Sequence, residues 1–138
     1  MPRFRILEHT ADARIAAYGQ DLGEAFANAA YGMFSLIADL DSVAEVSDRE
    51  VEVEAPDIEA LLVAWLNELL YLFDAQQFLP RRVQVLDVSD TRLQATLSGE
   101  TVDLARHRLR TAVKAATYHD ILVETKDGRA RVRVTFDL

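Results

Sequence analysis

The chain has 138 residues, a formal net charge of −8 and 50% hydrophobic residues. That is enough apolar material for one domain with its own core, and it argues against a disordered chain. It has no cysteine, which excludes disulfides, thiol catalysis and zinc–thiolate centres.

Phe4 to His9 and Ala13 to Tyr18 read as two strands joined by the polar junction Thr10–Asp12, and Gly19 and Gln20 end the second. Asp21 is a good helix N-cap, and Glu24 three residues on completes a capping-box pattern. Leu22, Phe26, Ala29, Met33, Leu36, Ile37 and Leu40 then recur at helical spacing, so the helix has one apolar stripe to bury against a sheet. Glu50 to Ala55 alternates valine and alanine with glutamate, the pattern of a half-buried strand with an acidic outer row. Pro56 and Asp57 end it and open a second helix over Ile58 to Ala75, whose core face is Ile58, Leu61, Leu62, Trp65, Leu69, Leu72 and Phe73. Its other face is mild rather than charged, so the helix is expected to be buried deeply under the rest of the domain, the alternative being cover by a partner.

Val83 to Val88 and Leu93 to Leu97 flank the turn residues Ser89–Asp90 and read as a hairpin. Gly99 to Arg110 is polar and reads as a loop. Ala112 to Glu124 and Ala130 to Phe136 read as two longer strands around an Asp–Gly turn. The arginine row of the last strand could lie beside the Glu50–Glu54 row, since opposite charges on neighbouring strands attract. Strands segregated from helices, with no regular alternation, predict an α+β fold. The expectation is a single domain over 1–138, with a mainly antiparallel sheet covered by two long amphipathic helices.

MPRFRILEH has basic residues but no long apolar run behind them, so it is neither a signal nor a transit peptide. Ile58 to Phe73 is interrupted by Glu59, Asn67 and Glu68 and is too short to span a bilayer. A soluble cytoplasmic protein with no membrane partner is expected. The acidic balance opposes direct binding of nucleic acid, a local patch excepted. It suits contact with a basic protein surface, such as that of a nucleic-acid enzyme.

No nucleophile elbow and no phosphate-binding loop is present. His9, His107 and His119 are far apart in sequence. The plentiful carboxylates fall mostly in solvated rows and turns. From pattern alone, Asp12 reads as an Asx-type turn residue and Asp137 as a solvated strand end. Lys114 reads as an outward lysine guarding a strand edge. A sheet could still bring Asp12 and Asp137 together.

FRILEHTAD at the start, LLVAWLNELLYLFD in the centre, VKAATYH after it and VTFDL at the end occur in the order found in archeases, and the chain resembles that family over its whole length. The resemblance implies a small α+β protein that is not itself an enzyme. It implies a partner, the RtcB-type RNA ligase of tRNA splicing and RNA repair, whose guanylylation and multiple turnover archeases promote. It further implies a metal site made by Asp12, Asp137 and, through its carbonyl or terminal carboxylate, Leu138, with calcium the ion suggested and magnesium or manganese compatible. Lys114 matches the family's functional lysine, and His9 sits in the junction that would position Asp12. Two carboxylates held together at the sheet edge would repel, and a divalent cation would relieve that repulsion. The readings set against this one are a stand-alone metal-dependent hydrolase or phosphotransferase, and a chaperone-like interaction module.

Overall fold

The computed structural model describes residues 3–9 and 11–138, without the side chains of Glu8 and His9. Seven strands and two helices follow in the order β1 Phe4–His9, β2 Asp12–Gly19, α1 Leu22–Ile37, β3 Ser47–Glu54, α2 Ile58–Gln76, β4 Phe78–Val88, β5 Arg92–Thr101, β6 Ala115–Lys126 and β7 Arg129–Asp137. All strand pairs are antiparallel, and they make two sheets: a four-stranded one in the order β1-β2-β7-β6 and a three-stranded one in the order β3-β5-β4. The α+β class and the two covering helices are as predicted. The sheet is divided, and α1 lies between its parts. Gly32 of α1 meets Phe4 and Ile15 of the first sheet. Gly23, half-way round the helix axis at 3.6 residues per turn, meets Val85 of the second.

Both helices begin at the caps predicted for them. The Asp21 carboxylate accepts the Glu24 N–H at 2.8 Å, and Glu24 accepts the Gln20 N–H at 3.1 Å. Asp57 accepts the Ala60 N–H at 2.8 Å. Trp65, fully buried on α2, donates its indole N–H to the Phe26 carbonyl of α1 at 2.9 Å. The indole thus joins the helices where Phe26, Phe34, Leu61, Leu62 and Leu66 form the core.

Four sequence expectations are corrected. The first helix stops at Ile37, and Leu40 belongs to a short 3₁₀ turn over Leu40–Ser42. The β4–β5 hairpin is longer than expected at its open end, because Gly99 lies in β5 against Leu79 and Pro80. A Cβ at Gly99 would stand 1.9 Å from the Leu79 carbonyl oxygen, so only glycine lets these backbones meet. The sixth strand starts at Ala115 instead of Ala112, because the chain just before it is drawn to the end of α1. Arg110 and Thr111 donate to the Ile37 and Leu36 carbonyls at 2.7 and 3.0 Å, satisfying the last turn of α1. Finally, the arginine row of β7 is in a different sheet from the glutamate row of β3. Glu52 instead pairs with Arg92 of β5, and Arg131 pairs with Glu124 of β6 at 2.9 Å. The Asp–Gly turn is as predicted, with Asp127 and Gly128 at φ 53° and 78°, the left-handed pair that a two-residue hairpin requires. Among the described residues, no helix is long and apolar enough to cross a membrane.

Candidate metal centre

Alternation sorts the two central strands of the four-stranded sheet. On β2, Ala13, Ile15 and Ala17 are buried; on β7, Ala130, Val132, Val134 and Phe136 are buried. Asp12, Arg14, Arg131, Arg133, Thr135 and Asp137 therefore belong to the outward face. The register places Asp12 directly opposite Asp137. Directly opposed residues on one face have Cβ atoms about 4.5–5.5 Å apart, so two exposed aspartates are cross-strand neighbours where β2 begins and β7 ends. The site lies at the ends of two central strands, whereas the sequence suggested a sheet edge.

Three backbone features hold this end of the sheet. Lys114 donates its N–H to the Asp137 carbonyl at 2.9 Å, and Ala115 is the cross-strand partner of Asp137 on β6. Lys114 is thus brought beside Asp137, just before the strand in which the sequence placed it. Asn67 of α2 makes a two-way bond with Ala116, accepting its N–H at 2.8 Å and donating to its carbonyl at 3.2 Å. That bond satisfies the outer edge of β6. Leu138 is half-buried and packs against the core, so β7 is anchored on both sides of Asp137.

Thr135 was not legible as part of this region. It is 3% exposed although it is on the outward face, and its hydroxyl oxygen has no hydrogen-bond partner. Arg14 is directly opposite it and bridges to Asp120 of β6 at 3.2 Å. Because β7 lies between β2 and β6, that bridge passes over β7 and shields Thr135. Asp120 reaches it from a bulge between Thr117 and Leu122, with φ 52°. No sequence signal marks a threonine for burial by a bridge between two other strands.

His119 is in the same bulge, exposed, with its Nε2 3.6 Å from the Asp120 carboxylate. His107 is buried elsewhere, against Glu100 at 3.2 Å. β1 pairs His9 with Ala13, so the backbone of His9 is next to the start of β2; its side chain, and Thr10, lie outside the described residues.

Glu100 forms a second charged cluster at the end of β5. It accepts from Arg106, from the Ala44 N–H at 2.5 Å and from His107. Arg106, followed by the Ala44 N–H, holds the Glu100 carboxyl down to about 2, against the opposing effect of its burial. His107 Nδ1 accepts the Asp103 N–H at 2.8 Å, so the neutral ring carries its proton on Nε2, facing Glu100. This cluster folds residues 102–107 against the sheet, and from there the chain runs past the end of α1 to Lys114.

The donors at Asp12 and Asp137 are all oxygens, which suit a hard divalent cation. Among the described residues no third His, Cys, Asp or Glu joins a metal-holding group. A cation held here would therefore keep much of its water. Residues Asp12 and Asp137 fit such an ion as an open, partly hydrated site.

The fold and this site define a class: a small two-sheet α+β protein presenting a pair of carboxylates at the end of its central strands. The family model described as Archease protein family (MTH1598/TM1083) matches residues 4–138. The chain belongs to the archease family. It is 37% identical over 140 residues to the protein archease of Methanosarcina mazei, covering 99% of this chain and 96% of that one. It is 40% identical over 142 residues to the protein archease of Thermococcus gammatolerans, covering all of both chains. Among solved structures, protein 1598 of Methanobacterium thermoautotrophicum superposes with a TM-score of 0.81 at 36% identity, with both chains fully covered. An archease of Thermotoga maritima, described as a possible chaperone, superposes with a TM-score of 0.65 at 18% identity, covering 97% of this chain and 96% of that one, which speaks for the fold alone.

Proposed function

We propose that this protein is a cytoplasmic, metal-binding activator of an RtcB-type RNA ligase in tRNA splicing or RNA repair. It promotes guanylylation and repeated turnover of the ligase and is not itself the catalyst. The observation that carries the reading is the placement of Asp12 opposite Asp137 in a member of the archease family. A cation, calcium in the first instance with magnesium or manganese as alternatives, supplies positive charge that relieves the repulsion of the two carboxylates and leaves coordination positions free. The chain's own part is to fix the donors. β2 and β7 set the Asp12–Asp137 spacing, Leu138 anchors the strand end and offers its carbonyl or carboxylate, and the Lys114 N–H immobilises the Asp137 backbone. The exposed Lys114 ammonium stands beside the site as a contact for an anionic group, and the His9 segment borders it on β1.

The test is guanylylation of the cognate ligase with labelled GTP, with and without this protein, using wild type, Asp12→Ala and Asp137→Ala, each verified as folded. Acceleration by wild type alone supports the reading. Equal acceleration by both variants removes the metal site from it. Phosphoryl or hydrolytic turnover by the isolated protein with metal and nucleotide would instead favour a stand-alone enzyme.

A further inference from the structure

At the opposite end of the same central strands, the β6–β7 turn and the start of α1 enclose a cavity of about 380 Å³. Asp12 and Gly19 are the two ends of β2, so this cavity is about 24 Å from the paired carboxylates at the usual rise per strand residue. Arg3, Lys126, Arg129 and Arg131 line it, against only two carboxylates, Glu24 and Glu124. Both carboxylates are engaged: Glu124 by Arg131 at 2.9 Å, and Glu24 by the Gln20 N–H at 3.1 Å. Among the described residues, no ion pair holds Arg3, Lys126 or Arg129. Arg3 instead lies over the Tyr31 ring, 4.9 Å from its centroid.

With Glu124 neutralised by Arg131, three cations face the single remaining carboxylate of Glu24, a local positive surplus that is out of character for a chain of net charge −8. The adjoining hollow makes the contrast sharper. It shares Arg3 and adds Arg81 and Arg82, but Arg82 is paired with Glu45 at 3.0 Å and Arg81 is 3.9 Å from Asp41. The unbalanced charge is therefore concentrated in the first cavity. Its walls include Tyr18 and Ala130, with the aliphatic stems of the long cationic side chains, so they can accept an apolar body while the cationic heads meet an anion. Guanidinium forks match phosphate oxygens in pairs, and a group carrying more than one negative charge can engage several cations at once.

We infer that this cavity binds a small phosphate-bearing molecule, independently of any metal at Asp12 and Asp137. The test is calorimetric titration of the whole protein, stripped of metal with EDTA and then dialysed into chelator-free buffer, so that no metal-bridged contact forms at the carboxylate pair. The probes are ATP, pyrophosphate, adenosine and citrate, applied to wild type, to Lys126→Glu/Arg129→Glu and to Asp12→Ala. ATP is expected to bind wild type and Asp12→Ala alike, and to lose at least about tenfold in affinity in the double variant, the scale of one lost charge-assisted hydrogen bond. Binding of pyrophosphate without adenosine would assign the site to the phosphates alone. Binding of ATP well above pyrophosphate would assign it to a nucleotide. The substituted side chains are exposed and flank a turn, so near-ultraviolet circular dichroism is expected to match wild type. No binding of ATP or pyrophosphate, binding that survives the double charge reversal in a folded protein, or citrate binding as tightly as pyrophosphate would overturn the assignment.

Discussion

Asp12 and Asp137 face each other across the β2–β7 ladder, the first residue of one strand against the last of the other. Like charges directly opposed on a sheet destabilise it by a few tenths to about 1 kcal/mol. Asp137→Asn without metal is therefore expected to be as stable as wild type or slightly more so. Calcium is expected to raise the Tm of wild type, by an amount growing with its concentration, and to leave Asp137→Asn unmoved. Calorimetric melting with EDTA and with calcium checks both statements. An equal calcium response of the two proteins would place the ion elsewhere.

Lys114 contributes its backbone to the strand end and leaves its side chain exposed. Lys114→Ala keeps the N–H, so denaturant unfolding is expected to change by no more than about 0.5 kcal/mol, as for other exposed positions. On the proposed function, ligase guanylylation falls all the same. A large stability loss would instead mark Lys114 as a structural residue.

Asn67 satisfies both backbone groups of Ala116. Asn67→Leu leaves a part-buried N–H and C=O without these partners, at an expected cost of about 1–3 kcal/mol. Amide exchange at Ala116 is expected to accelerate with it. Unchanged exchange would mean that the β6 edge is held by something other than this side chain.

The Glu100 cluster gives acid stability a defined sign. Its carboxyl is lowered from 4.5 to about 2 in the fold, chiefly by Arg106, so the folded state favours the ionised form. Its contribution is present in full above the unfolded value and is lost as pH falls from about 4.5 towards 2. Glu100→Gln is expected to be less stable than wild type at neutral pH, and the difference should narrow through that window. Parallel stability curves for the two proteins between pH 5 and pH 2 would contradict the assignment.

Gly99 packs its backbone on Leu79 so closely that a Cβ would stand 1.9 Å from a carbonyl oxygen. Gly99→Ala is expected to cost about 3 kcal/mol or more, the upper range of overpacking, because the obstacle is backbone and cannot rotate away. Urea denaturation measures it.

Much of the fold was legible locally. Asp21, Glu24 and Asp57 marked the helix starts because capping is a short-range hydrogen-bond contest within a few residues. Asp127–Gly128 marked a hairpin because the left-handed backbone there is a property of those residue types. The alternation in 130–136 marked Ala130, Val132, Val134 and Phe136 for burial, though not Thr135. The ends of α1, β4, β5 and β6 were not legible, because each depends on partners distant in sequence. Arg110 and Thr111 are drawn from the sixth strand by the open carbonyls of α1, and Gly99 extends β5 because Leu79 lies against it.

The residues of the carboxylate pair followed from the family resemblance; their residue pattern alone reads as a turn and a solvated end. The chain by itself determined an acidic, cysteine-free α+β domain with two capped helices. Only the tertiary structure decided which rows of charge became neighbours. Strand order is set by how two sheets share the faces of one helix, and it put the β7 arginines beside Asp120 and Glu124 and, among the described residues, left Arg3, Lys126 and Arg129 without an ion pair. Charge summed over a chain says little about charge at a place, because electrostatic interaction falls off with distance and folding chooses the distances.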